Sequence, residues 1–173
     1  VQGNIIGLAA NGTDLGNSLR GISVGGTSSN ITIGGSTASA RNVISGNNTS
    51  GIGISGAGVS GIIVQGNYIG TNTAGTAAVG NADEGILVSG GTGTVIGGTT
   101  PGARNVISGN AQRGIALTST TSANVVQGNY VGTDATGTLT ILQDINFTVA
   151  PSSSLAIVGS SGSGKSTLLG LLA

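Results

Sequence analysis

Near the end of the sequence, the run GSSGSGKS places Gly159, Gly164, Lys165 and Ser166 in the spacing GxxxxGK[ST]. Such a loop is suited to one kind of chemistry, holding a chain of phosphates. Its backbone amides cradle the phosphate oxygens, the lysine ammonium reaches the β- and γ-phosphates, and the serine hydroxyl holds magnesium. Those groups converge only when a strand delivers the loop and a helix leaves it. The flanking text supplies both, since LAIV before the loop is a buried-strand run and STLLGLLA after it has helical propensity.

Elsewhere the sequence offers little for catalysis. Glycoside hydrolysis needs two carboxylates at a set separation, and a calcium-dependent lyase needs acidic ligands and a basic residue. The candidates are Asp14, Asp83, Glu84 and Asp134. Asp83 and Glu84 are adjacent, so on a strand they would face opposite sides, whereas a loop at NADEG could turn both to one ion. A solvated loop ahead of a strand is the plainer reading. Asp134 lies in GTDATGT, and the related stretches carry Asn72 and Ala9 at that place, so a turn-capping role is favoured over a catalytic one. Arg41 and Arg104 each precede NVISGN and read as stacked or solvated guanidinium groups on one face. Tyr68 and Tyr130 share one repeat position and read as packed amphipathic side chains with a wet hydroxyl, a thin version of a sugar platform. Phe147 is the third aromatic residue. No residue is assigned as catalytic.

Composition narrows the classes further. Only 6% of the 173 residues are charged and 35 are Gly, against about 25% charged in ordinary domains. The 5 basic and 5 acidic residues cancel, so nothing attracts nucleic acid or an anionic membrane. Without Cys or His, disulfides, thiolate metal sites and imidazole bases drop out. No apolar run reaches the roughly 18 residues of a membrane span, and no signal segment opens the chain. With no Met, and with a start inside a repeat at VQGN, the sequence reads as a window on something longer.

The elements that carry most of the chain are repeats. VQGN occurs at Val1, Val64 and Val126, and RNVISGN at Arg41 and Arg104, each copy 62 or 63 residues after the last. A shorter beat runs inside this unit: GISV at Gly21, GIGI at Gly51, GILV at Gly85 and GIAL at Gly114. Apolar residues alternate at period two in short runs between Gly, Asn, Ser and Thr, which predicts brief strands with corners rather than hairpins between them. Strands that wind one way past corners make a parallel β-helix, with equivalent side chains stacked at about 4.8 Å. Asn67 and Asn129, like Asn42 and Asn105, are then expected two turns apart on one corner line.

ARNVISGN, NVVQGNYVGTDATGT and VIGGTTPGARNVISGN resemble the right-handed parallel β-helix repeats of bacterial surface and secreted proteins, in the pectate-lyase-like superfamily. The resemblance spans residues 1–138. It implies an all-β solenoid outside the cell or at its surface, a structural or binding module that contacts glycans or other surfaces. An adhesin-like scaffold and a polysaccharide lyase or hydrolase share these repeats, so the fold alone does not choose between them. An uncapped coil would also allow end-to-end self-association.

From Leu139 the repeat is lost. ILQDINFTV and SGSGKSTLL resemble the start of an ABC-transporter ATPase domain, its early strands and Walker A motif. This second resemblance, over residues 139–173, implies phosphate and magnesium contacts from Gly162, Gly164, Lys165, Ser166 and Thr167, in addition to Gly159, and hence ATP with magnesium as a possible ligand. It also implies a cytoplasmic setting. The sequence has no glutamine loop, signature motif, Walker B carboxylate or switch histidine to complete an ATPase site. Two halves suited to different compartments point to a fusion, an engineered joint or an error of assembly or frame at the boundary. In that setting the runs Leu139 to Leu142, Ile145 to Val149 and Leu155 to Val158 are expected to add strands to the open end of the coil.

Overall fold

Short β-branched runs ended by Gly and Asn form short strands, and the computed structural model, which describes residues 1–118 and 121–138, contains thirteen of them. In chain order they are β1 (Ile5–Ile6), β2 (Ile22–Val24), β3 (Thr32–Gly34), β4 (Val43–Ile44), β5 (Ile52–Ser55), β6 (Ile63–Gln65), β7 (Tyr68–Ile69), β8 (Ile86–Ser89), β9 (Val95–Gly97), β10 (Val106–Ile107), β11 (Ile115–Leu117), β12 (Val125–Gln127) and β13 (Tyr130–Val131). The only helices among the described residues are two 3-10 turns, Ala38–Ala40 and Pro101–Ala103.

Every pairing between these strands is parallel, and each strand pairs with the strand three places on. The result is three sheets, ordered β1-β4-β7-β10-β13, β2-β5-β8-β11 and β3-β6-β9-β12. The chain therefore visits each sheet once per turn, an all-β, all-parallel arrangement compatible with the expected solenoid. The four short beats of the sequence fall on β2, β5, β8 and β11 and stack in register, Ile22 on Ile52 on Ile86 on Ile115.

Inside the coil, Ile33, Ile44, Ile52, Ile54, Ile62, Ile69, Ile86, Ile96 and Ile107 are fully buried and belong to one cluster with Val59, Val64 and Val88. Each such side chain contributes roughly 1.5 to 3 kcal/mol when taken out of water. Period two decides which residues these are, because in each strand one side faces in while Ser23, Gly53 and Leu87 of the same register face out.

The corners need a different solution, since a buried corner exposes amides that no strand neighbour can satisfy. Two rows of asparagine fill this need. In the first, Asn4, Asn42, Asn67, Asn105 and Asn129 each pass a hydrogen bond to the next, Nδ2 donating to Oδ1 at 3.1, 2.9, 3.0 and 2.9 Å. Each Oδ1 also accepts the backbone N–H of the preceding asparagine, as between Asn67 and Asn105 at 2.9 Å, and the Asn67 Nδ2 donates back to the Ile33 carbonyl at 3.0 Å. The second row, Asn17, Asn47, Asn81 and Asn110, is built likewise, with Nδ2 to Oδ1 distances of 2.8 Å throughout. The expected corner line thus exists, and the two pairs read from sequence are interleaved on it.

Steps along the first row are 38, 25, 38 and 24 residues. Long and short turns alternate, so the long sequence repeat is two turns of the coil. The longer turns carry an excursion closed by an antiparallel bridge, Leu8 with Asp14 and Thr71 with Ala78. Ahead of Asn67, Gly66 has φ +68°, and a Cβ there would overlap the Gly35 carbonyl oxygen. The glycine of the VQGN motif is thereby required to turn the following carboxamide inward.

Buried and fully bonded, Asn67 should matter far more than the half-satisfied Asn4 at the exposed start of the same row. Asn67→Ala is expected to lower unfolding free energy by about 3 kcal/mol, because it strands donors and acceptors on both neighbouring turns. Asn4→Ala is expected to cost less than about 1 kcal/mol. Urea unfolding followed by circular dichroism measures both, and equal losses would show that the row does not carry the corner.

Candidate functional site

Gly159, Gly162, Gly164, Lys165, Ser166 and Thr167 lie outside the described residues, as do the runs expected to extend the coil after Leu139 and the far side of the domain boundary at Thr138. Among the described residues, no three acidic groups gather where they could hold a metal ion. Asp14 accepts the Gly16 N–H at 3.0 Å. Asp134 closes its own turn, accepting the Thr136 hydroxyl and the N–H groups of Thr136 at 2.9 Å and Thr138 at 3.0 Å. The Thr136 hydroxyl bond, followed by the backbone bonds, holds its carboxyl below the usual value of 3.8. Asn72 does the same work in the equivalent excursion, accepting the Thr76 N–H at 2.9 Å. The matched geometry accounts for Asp134 as a turn residue.

Arg41 and Arg104 stand two residues ahead of β4 and β10. Their guanidinium groups lie over the rings of Tyr68, at 4.1 Å, and Tyr130, at 5.0 Å. Val43, Tyr68, Val106 and Tyr130 are register partners on one sheet, where with Leu8 they form a second apolar cluster flanked by Val79 and Ala135. Tyr68 is buried, and the Tyr130 hydroxyl accepts a 2.6 Å hydrogen bond from Arg104 Nη1. The tyrosines are packing residues, and the Tyr130 hydroxyl is engaged by protein rather than only by water.

A further group of polar side chains lies along the β2-β5-β8-β11 sheet. A surface groove of about 540 Å³ there is lined by Leu19, Arg20, Ser23, Thr49, Ser50, Asp83, Glu84 and Leu87. Register generates it. Arg20, Ser50, Glu84 and Arg113 each stand two residues before the stacked isoleucines Ile22, Ile52, Ile86 and Ile115, so they form a row across four turns. Within that row, Glu84 is buried and satisfied on both sides, by the Ser50 hydroxyl at 3.2 Å and by Arg113 at 3.2 Å. Asp83 accepts from the Gln112 amide at 2.9 Å. Both carboxylates read from sequence thus share one groove, and each is engaged by a side chain of a neighbouring turn.

Arg20 completes the groove from the first turn. Its side chain lies across Gly53, where a Cβ would collide with the guanidinium, and it makes no ion pair among the described residues. Sequence reasoning passed over Arg20, Ser50 and Arg113. The signal was present, since each is the residue immediately before the glycine of a short beat.

Comparison with known proteins adds information at the other end of the chain. Residues 142–173 match the ABC transporter family. The sequence is 58% identical over 36 residues to a candidate ABC transporter ATP-binding protein of Methanosarcina acetivorans, an alignment covering 21% of this chain and 13% of that protein. It is 71% identical over 31 residues to the ABC transporter aclQ of Aspergillus oryzae, covering 18% of this chain and 4% of that protein. The chain therefore spans a small fraction of the relatives it matches. No solved structure matches it. The phosphate-loop spacing of Gly159 to Ser166 falls inside the segment that is similar to the ABC transporter family.

Proposed function

We propose that residues 142–173 are the phosphate-binding portion of an ABC-transporter-type ATP-binding domain. The observation that carries this reading is the coincidence of the family match over 142–173 with the uninterrupted spacing GSSGSGKS. The donor set suits a nucleotide triphosphate with magnesium: loop amides at Gly159, Gly162 and Gly164, the Lys165 ammonium, and the hydroxyls of Ser166 and Thr167, with Ser166 on the metal. These residues bind and orient phosphates and carry no hydrolytic step by themselves. Titration of ATP and magnesium by calorimetry tests the reading. Saturable binding is expected, weakened at least about tenfold by Lys165→Ala because a charge-assisted contact is lost. Equal and negligible binding by both proteins would overturn it.

A second reading concerns residues 1–138 and rests on a separate observation, the parallel sheets whose outward face carries a lined groove. We propose that this part is a right-handed parallel β-helix of the pectate-lyase-like type, serving as a structural and binding module that contacts glycans or other surfaces outside the cell. A lyase or hydrolase role is less favoured, because Asp83 and Glu84 are each bound by adjacent turns. No helix among the described residues is long and apolar enough to cross a membrane. Screening the chain against immobilised oligosaccharides is the check. Retention of at least one, without cleavage, is expected; retention of none would remove the glycan reading, and cleavage would replace it with the enzymatic one.

A further inference from the structure

Asn11 and Gly12 form the one Asn-Gly pair in the sequence, inside the excursion closed by Leu8 and Asp14. Asn11 is exposed, and its Oδ1 accepts the Thr13 N–H at 3.0 Å. That bond folds the carboxamide back over the Gly12 peptide group and places a donor where negative charge would develop if Cγ were attacked. At Gly12 the main chain is unshielded. A Cβ there would meet nothing within 4 Å, whereas the matching Gly75 and Gly137 of the later excursions lie against Tyr68 and Tyr130. Those two glycines follow Ala74 and Thr136, so the carboxamide is peculiar to the first excursion.

The corner asparagines differ on each count. Asn67 is buried, with Oδ1 and Nδ2 both held by neighbouring turns, and Tyr68 follows it. Asn42 and Asn105 are buried likewise and precede β-branched Val43 and Val106. Their carboxamides are released only by opening of the coil. At Asn11 the Gly12 N–H has only to leave the Ala9 carbonyl, 2.9 Å away in an exposed turn.

We infer that Asn11 is a site of spontaneous deamidation. The Gly12 nitrogen attacks the Asn11 Cγ, the bond from Cγ to Nδ2 breaks, and Nδ2 departs as ammonia with the Gly12 amide proton. Water then opens the resulting succinimide at either carbonyl, giving aspartate or isoaspartate. Each product adds one negative charge to a chain of formal net charge zero. Isoaspartate also adds a methylene to the main chain inside the turn, which strains the bonds from Ala9 N–H to the Thr13 carbonyl at 2.8 Å and from Leu15 N–H to the Gly7 carbonyl at 3.0 Å.

The test incubates the folded full chain at mildly alkaline pH in heavy-oxygen water and maps its peptides by mass spectrometry. Conversion of Asn11 to an acid carrying one heavy oxygen is expected at least about tenfold faster than conversion of Asn48 or Asn67. Asn11→Gln should remove the early acidic species and leave the circular dichroism of the coil unchanged. In the converted protein the Ala9 and Leu15 amides should lose hydrogen-exchange protection while the Asn67 amide keeps it. Equal conversion at Asn11 and Asn48, or conversion of Asn11 only after unfolding in urea, would overturn the inference.

Discussion

A buried corner has to satisfy its own amides, and the rest of this structure depends on how that is done. Strands of two to four residues leave much of each turn outside the sheets, so hydrogen bonding along the strands alone cannot close the coil. The carboxamide rows Asn4 to Asn129 and Asn17 to Asn110 supply the missing partners, each asparagine accepting from one turn and donating to the next. An asparagine is suited to this because one side chain is donor and acceptor at once and carries no charge to bury. The near absence of ionic groups becomes intelligible on the same ground. A stack at about 4.8 Å places identical residues directly over one another, and like charges so placed repel.

Much of this architecture was legible in the sequence because a coil writes its periodicity into the chain. The GIxx beats located four stacked strands, and the Gly-Asn pairs located corners. Less legible was the origin of the long repeat. Equivalent corner asparagines at alternating steps of 38 and 24 or 25 residues hide a single row inside what reads as two families, VQGN and RNVISGN. The excursions after β1 and β7 cause the alternation, and their antiparallel bridges leave no periodic signature.

The groove was harder still to see, for a physical reason. Arg20, Ser50, Glu84 and Arg113 put three different residue types at one structural position, so self-similarity passes over them. A repeat search finds what the turns share, the scaffold, while a binding surface is made from what they do not share. The same contrast resolves Arg41 and Arg104, which do repeat and which serve packing by covering Tyr68 and Tyr130. At the C-terminal end the order is reversed. There a short, dense motif stood out from the sequence, and the family match over 142–173 spans it.

The central claim is that stacked carboxamides hold the turns together, and hydrogen exchange of the asparagine side chains tests it most directly. The account predicts that the Nδ2 protons of Asn42, Asn67 and Asn105, each bonded to two neighbouring turns, exchange at least about a hundredfold more slowly than those of the exposed Asn48, as expected for groups released only by opening of the coil. Exchange of all four at a common rate would contradict it.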